Sequence, residues 1–245
     1  MEMSGDTKAG AIPGWAAPAY LATALLCLAG YWVIDMAGLG VPGSPIIKAS
    51  GIVMLGLFAL MRRAPVLALA LFLSAIGDYS LEIRGGLEIG IAAFASAHAV
   101  YLGLFIWMIR REGWRRDGLV LAGALALYGA AMLSWLRPGM GDLAFAATLY
   151  NAIILVMAMA SGLVKGPRLL AIGAVLFVIS DSLLAAGWFK DVRPLAEIKP
   201  VWITYAAAQI CLALGFSTKL AEMRQTQSAG ADEVRAGAAS GSEPG

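Results

Sequence analysis

Eight apolar runs, each long enough to cross a bilayer, follow one another along 245 residues with short polar breaks between them. A spanning helix needs about 20 mostly apolar residues, with a tolerated range of roughly 17–25. On that scale the sequence predicts helices near 16–35, 45–61, 64–82, 87–109, 118–136, 142–164, 169–189 and 200–220. The breaks are charged or Pro/Gly clusters, such as Arg62-Arg63, Arg84-Gly85-Gly86, Arg137-Pro138-Gly139 and Lys165-Gly166-Pro167-Arg168. Hydrophobic residues make up 60% of the chain and charged ones 14%, against roughly 45–50% and about 25% in soluble domains. A water-soluble globule of this size cannot cover that much apolar surface, which excludes a soluble enzyme and a nucleic-acid binder. The expected fold is an all-α membrane protein, a bundle of eight transmembrane helices.

Charge placement orients the bundle. With eight spans, the face carrying both termini holds 12 of the 18 Lys and Arg residues and the opposite face holds 6. Positively charged loops stay in the cytoplasm, so both termini are expected there. Three regions follow: a cytoplasmic N-terminal segment at 1–15, a membrane domain at 16–220, and an Ala/Gly/Ser/Glu-rich tail at 221–245 that reads as disordered and cytoplasmic. The first apolar run reads as a membrane helix, because no basic segment and small-residue cleavage site frame it as a signal peptide. Short loops and an Ala/Gly/Arg-rich character suggest a bacterial inner membrane. Cys27 and Cys211 fall inside apolar runs and imply no disulfide framework.

The informative residues are polar ones within apolar spans. Asp78 follows a charge-free stretch from Ala64, Asp181 interrupts an uncharged run that starts at Leu169, and His98 is the single histidine. A charge at the bilayer centre costs about 2.5–3.5 kcal/mol on insertion scales, so such residues face a bundle interior and mark function. The plainer alternative is a hydrogen bond between helices. Depth favours a site. Measured from the basic residue at the cytoplasmic end of each span, Asp78 lies roughly 22 Å deep, Asp181 about 20 Å and His98 about 18 Å. Lys48, Asn151 and Tyr205 each lie about 21 Å deep. Six polar side chains from six helices therefore share one layer in the outer half of the membrane. Glu82 lies one turn beyond Asp78, Tyr101 one turn from His98, and Gln209 one turn from Tyr205.

Gly77-Asp78-Tyr79-Ser80-Leu81 resembles Ser180-Asp181-Ser182-Leu183-Leu184, four spans apart. The likeness suggests two four-helix halves in parallel repeat, each contributing one aspartate. Taken in order, Gly77-Asp78-x-x-Leu81, Phe94-x3-His98-x2-Tyr101, Phe177-x2-Ser180-Asp181-x-Leu183 and Tyr205-x3-Gln209 resemble the YhhN family of lysoplasmalogenases over roughly 45–215. Lys48 is similar to a lysine at the start of that family's second span, although Ala49 follows it where the family has proline.

The resemblance implies hydrolysis of the vinyl ether bond of lysoplasmalogens, yielding a fatty aldehyde and a glycerophospho-ethanolamine or glycerophosphocholine. The substrate is then a lysophospholipid drawn from the bilayer. The chemistry needs a proton donor for the terminal alkene carbon, a base for water, and negative charge beside the resulting oxocarbenium ion. Two carboxyl groups in different surroundings can divide those tasks, so Asp78 and Asp181 are the expected acid/base pair. His98, Tyr101, Tyr205 and Gln209 are expected to orient water or the glycerol oxygens, with Glu82 and Asn151 in support. Lys48 is expected to meet phosphate or tune an aspartate. No metal or organic cofactor is implied, since a zinc site needs several histidine ligands and the chain has one. An aspartyl intramembrane protease is disfavoured because Ala75-Ile76-Gly77-Asp78 lacks the leading glycine of that signature. A proton-coupled transporter using the same acids is the rival reading.

Overall fold

The computed structural model describes residues 13–240, with side chains to residue 231. Eight helices account for nearly all of it: α1 (Ala16–Met36), α2 (Ser44–Met61), α3 (Pro65–Glu82), α4 (Leu87–Glu112), α5 (Gly118–Leu136), α6 (Ala144–Leu163), α7 (Arg168–Lys190) and α8 (Pro200–Ser240). All eight contain a stretch long and apolar enough to cross a membrane. The shortest, α2 and α3, have 18 residues each and rise about 27 Å, close to the thickness of a hydrocarbon core of about 30 Å. Helices are the form expected of chain in lipid, because every backbone N–H and C=O finds its partner within the segment.

Helix ends fall where the sequence interrupts itself. Pro45 and Pro65 occupy the first turns of α2 and α3, where a missing N–H costs nothing. Gly113 ends α4 at φ +76°, a conformation that glycine adopts without steric cost. The helices run past the expected boundaries mainly at two places. α4 continues to Glu112, and α8 extends beyond residue 220 through Ser240. Residues 221–240 are thus helical where the composition alone reads as a disordered tail. Arg224, on this extension, donates to the backbone carbonyls of Arg62 and Arg63 at the end of α2, and Lys219 pairs with Glu112 at 2.7 Å. Most of the segment expected at 1–15, and the last five residues of the tail, lie outside the described residues.

Within each half the helices pack in chain order, α1 on α2, α2 on α3 and α3 on α4, then α5 on α6, α6 on α7 and α7 on α8. The halves meet where α4 packs on α6 and α8 packs on α2. Glycines bring the helices together. A Cβ at Gly77 would sit 2.6 Å from the Phe94 ring, and one at Gly90 would sit 2.5 Å from Leu81, so α3 and α4 pack closely. Large apolar side chains point the other way, with Leu26, Val120, Leu127 and Phe145 all more than 70% exposed. Buried within the bundle are Asp78, His98, Ser180 and Gln209. Apolar residues outside and polar residues inside is the pattern of a chain whose solvent is lipid.

Candidate active site

The element order places one set of helix ends on a single face: the C-termini of α1, α3, α5 and α7 and the N-termini of α2, α4, α6 and α8. A cavity of about 540 Å³ lies toward this face. Asp78, Asp181, Lys48, Glu82 and Tyr205 all line it, so the structure brings together residues from α2, α3, α7 and α8. The α7–α8 connection supplies Arg193 and Lys199 to its rim.

Each aspartate is held by a tyrosine from another helix. Asp78 is 2% exposed, and the Tyr205 hydroxyl donates to its Oδ2 at 2.5 Å. Behind Tyr205 the chain of bonds continues: Gln209 Nε2 donates to the Tyr205 oxygen at 3.2 Å, and the Tyr101 hydroxyl donates to Gln209 Oε1 at 2.7 Å. Asp181 accepts the hydroxyl proton of Tyr150. His98 Nε2 lies 3.0 Å from that Tyr150 oxygen and 3.7 Å from Asp181 Oδ2. Because Tyr150 has one proton and gives it to Asp181, the imidazole bonds Tyr150 by donating from Nε2. Nδ1 of His98 is buried without a hydrogen-bond partner. Two relays therefore end on two carboxyl groups: Tyr101–Gln209–Tyr205–Asp78 and His98–Tyr150–Asp181.

An aromatic wall keeps the relays in place. Phe94, Phe177 and Tyr205 meet edge to face, and His98 packs edge-on against Phe177 with ring centroids 4.5 Å apart. Gly77 leaves room for the Phe94 ring next to Asp78. The outer part of the cavity is ionic. Lys48 pairs with Glu82 at 2.7 Å and lies within 6 Å of the Tyr31 and Trp202 ring centroids. The Tyr31 hydroxyl donates to Glu82 at 3.3 Å, and Lys199 pairs with Asp35 at 3.0 Å. Among the described residues, no three His, Cys, Asp or Glu side chains converge as a metal site.

The sequence expectations sort themselves by distance from the cavity. Tyr205 lines it, whereas His98, Tyr101 and Gln209 are fully buried behind it: Tyr101 and Gln209 reach it through Tyr205, and His98 through Tyr150 and its own approach to Asp181. Asn151 lines a neighbouring apolar slot and not the polar cavity. Its chain neighbour Tyr150 takes the place in the relay, because adjacent residues on a helix point about 100° apart. Tyr31, Asp35, Tyr150, Arg193, Lys199 and Trp202 were not singled out by sequence. Tyr and Trp are common near span ends, so their type alone did not mark them. The depth of Tyr150, one residue from Asn151, was the one signal that could have found it.

As chemistry, the arrangement offers two oriented carboxyl groups facing one space large enough for water and a polar substrate. Such a pair can give and take protons on opposite sides of a reacting bond. No solved structure matches this chain. Relatives by sequence include the protein named lysoplasmalogenase of Mycobacterium bovis, 31% identical over 70% of this chain and 69% of its own length. Lysoplasmalogenase TMEM86B of Sus scrofa is 34% identical over 65% of this chain and 75% of its own. Lysoplasmalogenase TMEM86B of Homo sapiens is 30% identical over 82% and 75%. The profile described as the YhhN family matches residues 43–216, a span that contains both relays and every cavity residue named above except Tyr31 and Asp35, so this chain belongs to the YhhN family.

Proposed function

We propose that this membrane protein hydrolyses the vinyl ether bond of lysoplasmalogens. The observation that carries the reading is the cavity shared by Asp78 and Asp181, each fixed by a phenol, in a chain whose relatives are named lysoplasmalogenase. One carboxyl group protonates the alkene carbon remote from the ether oxygen, giving an oxocarbenium ion stabilised by the other, ionised carboxylate. That carboxylate takes a proton from water as the water oxygen bonds to the cationic carbon. The hemiacetal then collapses: the second carboxyl group, now protonated, gives its proton to the glycerol oxygen as that carbon–oxygen bond breaks, and the hemiacetal hydroxyl proton passes to the first carboxylate, which restores both groups. The sum is R–CH=CH–O–R′ plus water giving R–CH₂–CHO plus HO–R′. The Tyr205 and Tyr150 hydroxyls hold the carboxyl groups in register throughout.

The headgroup belongs at the outer part of the cavity, where Lys48, Arg193 and Lys199 offer cations for phosphate and Asp35 and Glu82 offer anions for an ammonium group. The excess of basic residues on the opposite face of the bundle supports a cavity open to the non-cytoplasmic side. Release of free aldehyde by purified protein in detergent tests the reading. Asp78→Asn and Asp181→Asn each keep an amide oxygen for the tyrosine and should each lower the rate by about 10²–10⁴-fold, the usual range for a removed acid or base. Wild-type protein that releases no aldehyde from lysoplasmalogen, yet carries protons or solute across liposomes, would overturn it in favour of a transporter.

A further inference from the structure

Beside the polar cavity lies a second, smaller one of about 90 Å³, walled by apolar side chains of α5, α6 and α7. Its lining includes Met132, Leu136, Ala147, Ile154 and Ala185. The two cavities share six residues: Leu81, Phe94, Tyr150, Asp181, Leu184 and Trp188. Asp181 and Tyr150 thus stand at the boundary between a space rich in polar groups and one nearly without them, while Asp78 faces the polar space alone.

A vinyl ether lipid has the same boundary built into it. The reacting bond is where the hydrocarbon chain ends and the glycerol begins. Resting on the function proposed above, we infer that the α5–α6–α7 slot is the binding site for the alkenyl chain and sets which chains the enzyme accepts. In this pose the first methylenes enter the slot, the alkene carbon lies beside Asp181, and the glycerol and phosphate extend toward Lys48, Arg193 and Lys199. The slot is too small for a whole lipid chain. Tyr128 and Trp188, 39% and 44% exposed, border it on the outer surface of the bundle. The rest of the chain passes out beside them into the surrounding lipid.

The slot has walls that can be moved inward without touching either relay. Ala147 lies one turn before Tyr150 and Ala185 one turn after Asp181, and neither lines the polar cavity. Ala147→Phe and Ala185→Phe should fill the slot from opposite helices. The expected result is a fall of about tenfold or more in kcat/KM for a hexadecenyl lysophospholipid, in line with the 10–200-fold discrimination that apolar pockets achieve. A propenyl analogue with the same headgroup should be cleaved within about twofold of the wild-type rate, since it needs none of the blocked space. Unchanged cleavage of the long substrate would overturn the assignment, and so would an equal loss on both substrates.

A non-hydrolysable alkyl ether lysophospholipid with a diazirine near the start of its chain separates this inference from the one it rests on. Crosslinking of that probe to Met132 or its neighbours on α5 supports the slot even if no vinyl ether is cleaved. Cleavage by wild type with crosslinks confined to helices other than α5, α6 and α7 leaves the enzyme standing and removes the slot.

Discussion

A phenol that donates to a carboxyl oxygen fixes where the acid points and leaves its second oxygen free for chemistry. Both aspartates are held this way, by Tyr205 and Tyr150, and hydrogen bonds to charged groups are worth about 1.5–3 kcal/mol. Tyr205→Phe and Tyr150→Phe should therefore each lower aldehyde release by about 10–100-fold while the protein stays folded. Combining Tyr150→Phe with Asp181→Asn should add little to the loss from Asp181→Asn alone, because groups that act as a unit are not additive. Full additivity, measured as initial rates on the four proteins of that cycle, would separate the tyrosine from the relay. At this scale the sequence was most informative where a residue violated its surroundings. An aspartate or histidine in an uninterrupted apolar run stands out, and Asp78, Asp181 and His98 do meet in or directly behind one cavity. Tyr150, Tyr31 and Trp202 break no rule of membrane sequences, so only their partners reveal them. Side-chain direction decided between Tyr150 and Asn151, and direction depends on how helices rotate against each other, which depth along a helix does not contain.

Elements of this bundle are held in position by contacts at small residues, since lipid supplies no hydrophobic drive to press helices together. Gly77 and Gly123 make the contrast measurable. A side chain at Gly77 meets the Phe94 ring at 2.6 Å, whereas Gly123 on α5 has nothing within 4 Å. Phe94 is confined by Phe177 and Tyr205 and has little freedom to withdraw. Gly77→Leu should cost about 1–3 kcal/mol as an overpacking change and abolish most activity by displacing Asp78. Gly123→Leu should stay within about 0.5 kcal/mol of wild type, like other substitutions away from packed features. Thermal unfolding in detergent, with aldehyde release on the same samples, checks both. Helix existence and most helix ends were legible because a span must have a minimum apolar length and because proline and glycine punctuate it. The extension of α8 was not, because the contact at its start, Arg224 with the end of α2, is one that composition does not express.

For the whole molecule the open variable is direction across the membrane. Eight crossings return the chain to the face where it began, and that face carries two thirds of the Lys and Arg residues. The charge bias predicts the α6–α7 connection in the cytoplasm and the α7–α8 connection, with the cavity mouth, outside. Single cysteines report the answer once Cys27 and Cys211, both inside spans, are replaced by alanine. Pro194 lies exposed on the cavity side and Lys165 exposed on the other. In intact bacterial cells expressing the protein, a membrane-impermeant maleimide should label Pro194→Cys and spare Lys165→Cys until the cells are opened. The reverse pattern would turn the cavity toward the cytoplasm. It would also change which leaflet can supply a substrate, because the proposed pose has a single-chain lipid entering with its headgroup at the interface nearer to Lys48, Arg193 and Lys199. Supplying lysoplasmalogen to one leaflet of oriented proteoliposomes gives an independent reading. Hydrolysis should be rapid only when the lipid starts on the side where Pro194→Cys is labelled.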